Sequence, residues 1–233
     1  TGSGKELIAR KIHKKSKRFK GPFVILNGAL LDVKKYEEEL FGEEKKDGSI
    51  LYGALEKASG GFLLIDEVTE IPLETQSKIL RVVIDQKFKR INGNHDIKTD
   101  VRILCSTSKE IKREIDQGHF REDLYHRLNV FNINIEPLSK RLEDIPLIVE
   151  YFIKEICKNY NRKEFSIEDY NYLLNYNWPG NVRELRNLVE RITILSANET
   201  KENIDKIIED ILNPSKNENT SKNIFETSFA SPL

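Results

Sequence analysis

The chain has 233 residues, and its 38 Lys+Arg are matched by 38 Asp+Glu, so the formal charge at neutral pH is zero. Hydrophobic residues make up 38% and charged residues 33%, which suits a soluble globular protein of one large domain, or a domain with a small satellite. This excludes a uniformly basic nucleic-acid binder, a disulfide framework (Cys105 and Cys157 are the only cysteines) and a membrane span, which needs roughly 20 apolar residues in a row.

No methionine and no signal peptide occur, so the sequence reads as part of a longer, cytoplasmic protein. It opens on Thr1-Gly2-Ser3-Gly4-Lys5-Glu6, running into Leu7, Ile8 and Ile12 at helical spacing. The basic run Lys11–Lys20, with His13 in it, continues that helix and reads as a solvated face rather than a DNA patch. Phe23–Leu26, Phe62–Ile65 and Val101–Leu104 are short, nearly continuous apolar runs, as expected for parallel strands covered by helices. A helix is expected over Gln76–Phe88, with Ile79, Leu80, Val83 and Ile84 on one side. Phe131–Ile135 alternates strictly and predicts a further strand with one wet face.

After Pro137 only helical patterns follow. Ile145, Ile148, Val149, Phe152, Ile153 and Ile156 mark one helix, and Ser166 with Asp169 resembles a cap for a second through Leu174. Trp178-Pro179-Gly180-Asn181 breaks the pattern before a third helix carrying Val182, Leu185, Leu188, Val189 and Ile192. The expected fold class is therefore α/β, with a parallel sheet core over 1–137 and a small all-helical subdomain over 138–212. Residues 213–233, rich in Asn, Ser, Lys and Glu, read as a linker.

Two places carry chemistry. Glycines let backbone N–H groups close around phosphate oxygens, a helix N-terminus adds favourable partial charge, and Lys5 would neutralise the β/γ-phosphates. The first glycine of the full P-loop pattern would lie upstream of Thr1, so a flexible glycine-rich start is the plain alternative. The second place is Asp66-Glu67, two carboxylates at the carboxyl end of an apolar strand, where open α/β sheets hold ligands. Asp66 suits a Mg²⁺ ligand acting through water, and Glu67 a base that polarises the attacking water. The alternative there is a solvated acidic turn.

Four blocks occur in order: Glu39-Leu40-Phe41-Gly42, Gly60-Gly61-Phe62-Leu63-Leu64-Ile65-Asp66-Glu67, Phe120-Arg121-Glu122-Asp123-Leu124-Tyr125-His126-Arg127-Leu128 and Trp178-Pro179-Gly180-Asn181-Val182-Arg183-Glu184-Leu185. Together they resemble the NtrC-type AAA+ transcription regulators, or sigma-54 interaction domain proteins, from Thr1 to about Leu212. The resemblance implies a P-loop NTPase fold with a helical lid, ATP and Mg²⁺ as ligands, and Thr1, Gly2, Ser3, Gly4, Lys5 and Glu6 around the phosphates. It implies that Asn27 restrains Glu67, that Thr107 senses the γ-phosphate, and that Arg183 is the lid's sensor II residue. Arg121 and Arg127 are implied as the pair presented to the next subunit's nucleotide in a homo-oligomeric ring of the hexamer or heptamer class. RNA polymerase is implied as a partner, with DNA and a sensor kinase reached through domains outside this chain. The blocks around Phe120 and Trp178 disfavour an unrelated AAA+ protein such as a replication initiator or unfoldase.

The chain departs from the pattern twice. Ser108 stands where asparagine is usual, which weakens the case for γ-phosphate sensing. The GAFTGA loop that grips sigma-54 does not occur: Gly42 is followed by Glu43-Glu44-Lys45-Lys46-Asp47-Gly48-Ser49-Ile50-Leu51-Tyr52-Gly53. Some NtrC and NtrX-like regulators of the family share that departure and look like regulators of the ordinary polymerase. The sequence thus supports an ATPase not coupled to sigma-54, with an ATP-responsive oligomerisation module of little turnover as the alternative.

Overall fold

Phe62–Ile65 is apolar at every position, so both faces of this stretch must be covered, and it becomes the central strand of a sheet. The structure, a computed structural model, describes residues 2–29, 33–195 and 201–212, with the side chains of 33 and 201–203 left out. Strand β1 is Phe23–Asn27, and the antiparallel pair β2 (Gly42–Glu44) and β3 (Ile50–Tyr52) forms a hairpin after it. The central strand is β4 (Phe62–Asp66); a second short pair, β5 (Lys87–Phe88) and β6 (Ile97–Lys98), precedes β7 (Arg102–Cys105). β4 lies between β1 and β7, parallel to both, and the register sets Asn27 beside Asp66 and Ile65 beside Cys105.

Parallel neighbours require crossovers. α2 (Val33–Phe41), the β2–β3 hairpin and α3 (Ala54–Lys57) lead from β1 to β4, while α4 (Leu73–Asp85) and the β5–β6 pair lead from β4 to β7. α1 (Lys5–Lys15) precedes the sheet, and α5 (Ile111–Asp116) and α6 (Glu122–Leu128) follow it. Leu26, Leu63, Ile65, Ile79, Val82 and Leu124 belong to the core between sheet and helices. Truncating a fully buried leucine such as Leu63 to alanine there costs about 2–5 kcal/mol. Gly61 is where β1 and β4 start closest: a Cβ on it would lie 2.0 Å from the Pro22 carbonyl oxygen.

Contacts divide the chain into two units, Gly4–Asn134 and Thr1–Ser3 with Ile135–Leu233. In the second, α7 (Ile145–Asn159), α8 (Asn171–Leu174), α9 (Asn181–Leu195) and α10 (Lys201–Leu212) share one core. Ile145, Val149, Phe152, Ile153 and Ile156 of α7 are buried with Leu185, Leu188, Val189 and Ile192 of α9, as their spacing predicts. α10, a helix not separately expected, adds Ile204 and Ile208.

Several expectations are corrected. Phe131–Ile135 is not a strand: a strand exists only through a hydrogen-bonded neighbour, and none of the described strands pairs with it, leaving Phe131 81% exposed. α4 begins at Leu73, directly after Pro72 with its fixed φ, and ends where Gln86 turns left-handed; Ile84 faces out, on the side away from the buried Ile79 and Val82. α8 starts only at Asn171, whose N–H donates to Asp169 Oδ1 (2.8 Å), so Asp169 rather than Ser166 satisfies its first turn. His13 is buried between the Phe23 and Phe62 rings, not part of a solvated face, because it lies on the side of α1 that meets the sheet. The expected linker 213–233 and Thr1 lie outside the described residues.

Candidate functional site

The site of the sheet-bearing unit forms where β4 ends. At Glu67 the backbone swings into the left-handed region, φ 51°, and so leaves the strand's alternation. Asp66 stays in register with Asn27, and its carbonyl accepts the Gly28 N–H at 2.8 Å. Parallel β7 brings Ser106, Thr107 and Ser108 to the same edge, and the Ser106 N–H donates to the Ile65 carbonyl at 2.9 Å.

Each carboxylate then receives its own hydroxyl. Ser106 Oγ donates to Asp66 Oδ1 in a short hydrogen bond. The Ser108 N–H (2.8 Å) and Oγ (2.9 Å) both donate to Glu67 Oε2. Lys5, in the first turn of α1, donates from Nζ to Glu67 Oε1 at 2.9 Å, and the two side chains are 18% and 13% exposed. Partial burial pushes the Glu67 carboxyl up, but Lys5 and the two Ser108 donors outweigh it and hold it below the ordinary range.

The other expected residues fall as follows. Gly4 precedes α1 in the left-handed region at φ 99°, a conformation glycine takes without strain, and Glu6 accepts the Arg10 Nε–H at 2.8 Å. Asn27 Oδ1 accepts the Ala29 N–H at 2.9 Å, so in this state Glu67 is held by Lys5 and Ser108. Thr107 Oγ1 lies 2.9 Å from Thr69 Oγ1 and accepts the Lys109 N–H at 3.0 Å, which ties the turn after β4 to the turn after β7. Arg121 and Arg127 are exposed at opposite ends of α6. The Arg121 guanidinium pairs with Asp123 (2.7 Å), while the Arg121 backbone N–H donates to the fully buried Gln76 Oε1 at 2.9 Å.

Within the helical unit, the Arg183 N–H donates to the Gly2 carbonyl at 3.3 Å, and Arg141 Nη2 donates to the Ser3 carbonyl at 2.8 Å. The block around Trp178 is otherwise architectural. Trp178 Nε1 donates to the Leu173 carbonyl, Asn181 Oδ1 accepts the Leu138 N–H, and Glu184 accepts both the Gly180 N–H and the Tyr176 hydroxyl. Within the block, Pro179 and Arg183 are the exposed residues.

Ser106, Ser108 and Gln76 are the residues the sequence reading did not assign. A signal was present for the serines, since hydroxyls directly following an apolar strand beside Asp66-Glu67 must end at its edge. None was present for Gln76. Among the described residues no group of three or more His, Cys, Asp or Glu could hold a metal by itself. A lone carboxylate such as Asp66 fits Mg²⁺, which takes one or two carboxylates and completes its shell with water and phosphate. No described helix is long and apolar enough to cross a membrane.

Comparison with known proteins agrees with this geometry. The Sigma-54 interaction domain family matches residues 1–134, and the AAA+ ATPase lid domain matches residues 139–224. The nitrogen assimilation regulatory protein NtrX of Azorhizobium caulinodans is 46% identical over 200 residues, covering 84% of this chain and 44% of that protein. A putative NtrX-like response regulator of Rickettsia typhi is 44% identical over 219 residues, covering 92% of this chain and 46% of that protein. The crystal structure of Brucella abortus NtrX in complex with ATP superposes with a TM-score of 0.85 at 43% identity, over 92% of this chain and 48% of that one. The chain thus spans less than half the length of the relatives it matches. It belongs to the sigma-54 interaction domain family of AAA+ ATPases, among the NtrX- and NtrC-type transcription regulators.

Proposed function

We propose that this chain is the ATP-hydrolysing core of a bacterial transcription regulator, and that its hydrolysis is not coupled to sigma-54. The observation that carries the reading is the convergence of Lys5 on Glu67, 2.9 Å apart, beside Asp66 at the end of β4. Lys5 would meet the β/γ-phosphates, Asp66 would hold Mg²⁺ through water, and Glu67 would polarise the attacking water. Mg²⁺, when bound, spreads the charge of the transferred phosphoryl group. Asn27 belongs to the reading by its place beside Asp66, Thr107 as the γ-phosphate sensor, and Arg183 as the lid's nucleotide-responsive arginine. Thr1, Gly2, Ser3, Gly4 and Glu6 would complete the phosphate loop.

The exposed Arg121 and Arg127 suit a ring in which each subunit lends a cation to the next subunit's nucleotide. The Asp123 carboxylate holds the Arg121 guanidinium folded back until such a partner competes for it. RNA polymerase, DNA and a sensor kinase are the proposed partners, the last two through other parts of the full-length protein, in the cytoplasm. The second reading is an ATP-responsive oligomerisation module with little turnover; what favours it is that Lys5 and Ser108 already occupy both oxygens of Glu67.

The test is steady-state ATP turnover by the full-length protein. Glu67→Gln is expected to keep nucleotide binding and lower kcat by about 10²-fold, the scale of losing a general base. Asp66→Ala should instead weaken Mg²⁺-dependent binding. Unchanged hydrolysis in Glu67→Gln removes that residue from the mechanism, and no measurable turnover in the wild-type ring establishes the second reading.

A further inference from the structure

The position where this chain departs from the family pattern is itself attached to Glu67. We propose that Ser108 is a positioning residue for ATP hydrolysis: its hydroxyl and N–H hold Glu67 Oε2, so that the carboxylate keeps its aim when substrate draws Lys5 away from Oε1. The inference rests on the reading of Lys5 and Glu67 given above.

The geometry divides the two oxygens of one carboxylate between partners of different kinds. Oε1 faces Lys5 Nζ at 2.9 Å, a flexible ammonium on a four-carbon stem that phosphate oxygens can attract. Oε2 faces two donors from one residue, Ser108 N–H at 2.8 Å and Oγ at 2.9 Å, on a short side chain three residues past the end of β7. When nucleotide takes the lysine, Oε1 is uncovered while Oε2 stays anchored. That is the state a general base needs: one oxygen turned to water and the other fixed, as a base is oriented by a third group in other catalytic constellations. Glu67 itself leaves the strand at φ 51°, which points its side chain away from the strand's alternation. The neighbouring pair repeats the device, with Ser106 Oγ on Asp66 Oδ1. The two hydroxyls, two residues apart, thus serve the two carboxylates separately.

In the step itself, the water oxygen forms a bond to the γ-phosphorus as the bond from that phosphorus to the bridging oxygen breaks, and the electron pair leaves with ADP. The water proton passes to Glu67 Oε1 and from there to the phosphate product, so the carboxylate is regenerated. Ser108 exchanges no proton; it sets where Oε1 points.

The experiment uses the full-length protein, with Ser108→Ala, Ser108→Thr, Glu67→Gln and the double variant Ser108→Ala/Glu67→Gln. Each is assayed for kcat and KM, and for affinity toward a fluorescent ATP analogue. Losing one of two donors to a charged acceptor is expected to lower kcat by about 10-fold in Ser108→Ala, with KM and analogue affinity within about twofold of wild type. Ser108→Thr, which keeps a hydroxyl, should recover most of the rate. In the Glu67→Gln background the Ser108→Ala change should cost nothing further, which a merely structural serine would not produce. Wild-type kcat in Ser108→Ala, a loss confined to KM, failure of threonine to rescue, or an equal loss in the Glu67→Gln background each overturns the proposal while leaving the ATPase reading intact. Full turnover in Glu67→Gln overturns the reading of the base, and this proposal with it.

Discussion

A single backbone angle decides two of the positions that matter most. Glu67 at φ 51° leaves the strand so that its carboxylate meets Lys5 and Ser108, whereas Gly42 at φ 78° turns the chain from α2 into the β2–β3 hairpin. A Cβ on Gly42 would lie 2.3 Å from the Leu51 carbonyl oxygen and 2.8 Å from the Gly53 nitrogen, both backbone atoms that cannot swing aside. Gly42→Ala is therefore expected to destabilise the protein by about 1–3 kcal/mol, the scale of forced backbone strain, read as a lower denaturant midpoint at unchanged slope. A midpoint equal to wild type would mean that this junction relaxes freely. At this scale the sequence revealed Asp66 and Glu67 because four apolar residues in a row fix a strand and its end. It did not reveal that Ser108 would reach Glu67, because that contact depends on the register of β7 and on a left-handed turn that no propensity gives to glutamate. The sequence motif makes Lys5 an expected phosphate ligand but does not point to Glu67 as its partner, since the two are 62 residues apart.

Among the elements, the β2–β3 hairpin follows the Glu39–Gly42 block, where the family resemblance implies a GAFTGA loop, and it is fastened to its neighbour. Arg90, just after β5, donates to Glu56 (2.9 and 2.6 Å) and to Glu44 (3.1 Å), and its guanidinium lies 5.4 Å from the Tyr52 ring centre. The Ile91 N–H donates to the Gly42 carbonyl, and the Glu44 N–H to that of Ile91. Asn92 donates to Glu43 at 3.1 Å. The charges expected to crowd this segment are thus partly neutralised from within, and Lys45, Lys46 and Asp47 remain at the exposed turn. Arg90→Ala should free the hairpin: amide exchange across Glu43–Tyr52 is expected to speed up by about 10-fold or more, while β4 amides keep their protection. Equal protection in the variant would show that the backbone bonds alone hold the segment. None of this clasp was readable from sequence, because Arg90 lies 34 residues from Glu56 and 46 from Glu44. Strands and helices with continuous or 3.6-residue apolar patterns, such as β4 and α7, were readable. Phe131–Ile135 had the right alternation and still formed no strand, since alternation says which faces are apolar and not whether a partner strand lies alongside.

The chain belongs to a family that takes its name from sigma-54, and the consequence for that factor depends on the hairpin as one moving or unmoving part. Driving a sigma factor with ATP requires a segment that shifts with the γ-phosphate and meets the factor through apolar and hydroxyl side chains. The turn of the segment between Gly42 and Tyr52 offers mainly charged side chains instead. It presents Lys45, Lys46 and Asp47, whose desolvation at a contact is costly unless each finds a partner. Asp47 is already engaged by Ser49, whose N–H and hydroxyl hold its carboxyl below the ordinary range. Ile50, Leu51 and Tyr52 are partly exposed on β3, but the Arg90 clasp holds that strand to the same body that carries Asp66 and Glu67. A contact made by such a surface would bind without transmitting the cycle. The full-length protein is therefore expected to hydrolyse ATP yet fail to drive open-complex formation by sigma-54 polymerase at a matched promoter, while still affecting the ordinary polymerase. Transcription in vitro with each holoenzyme, beside a GAFTGA-bearing relative that activates the sigma-54 enzyme under the same conditions, measures this directly. Robust ATP-dependent activation of sigma-54 polymerase by this protein would mean that the hairpin moves despite its clasp, and Arg90→Ala should then raise that activation further.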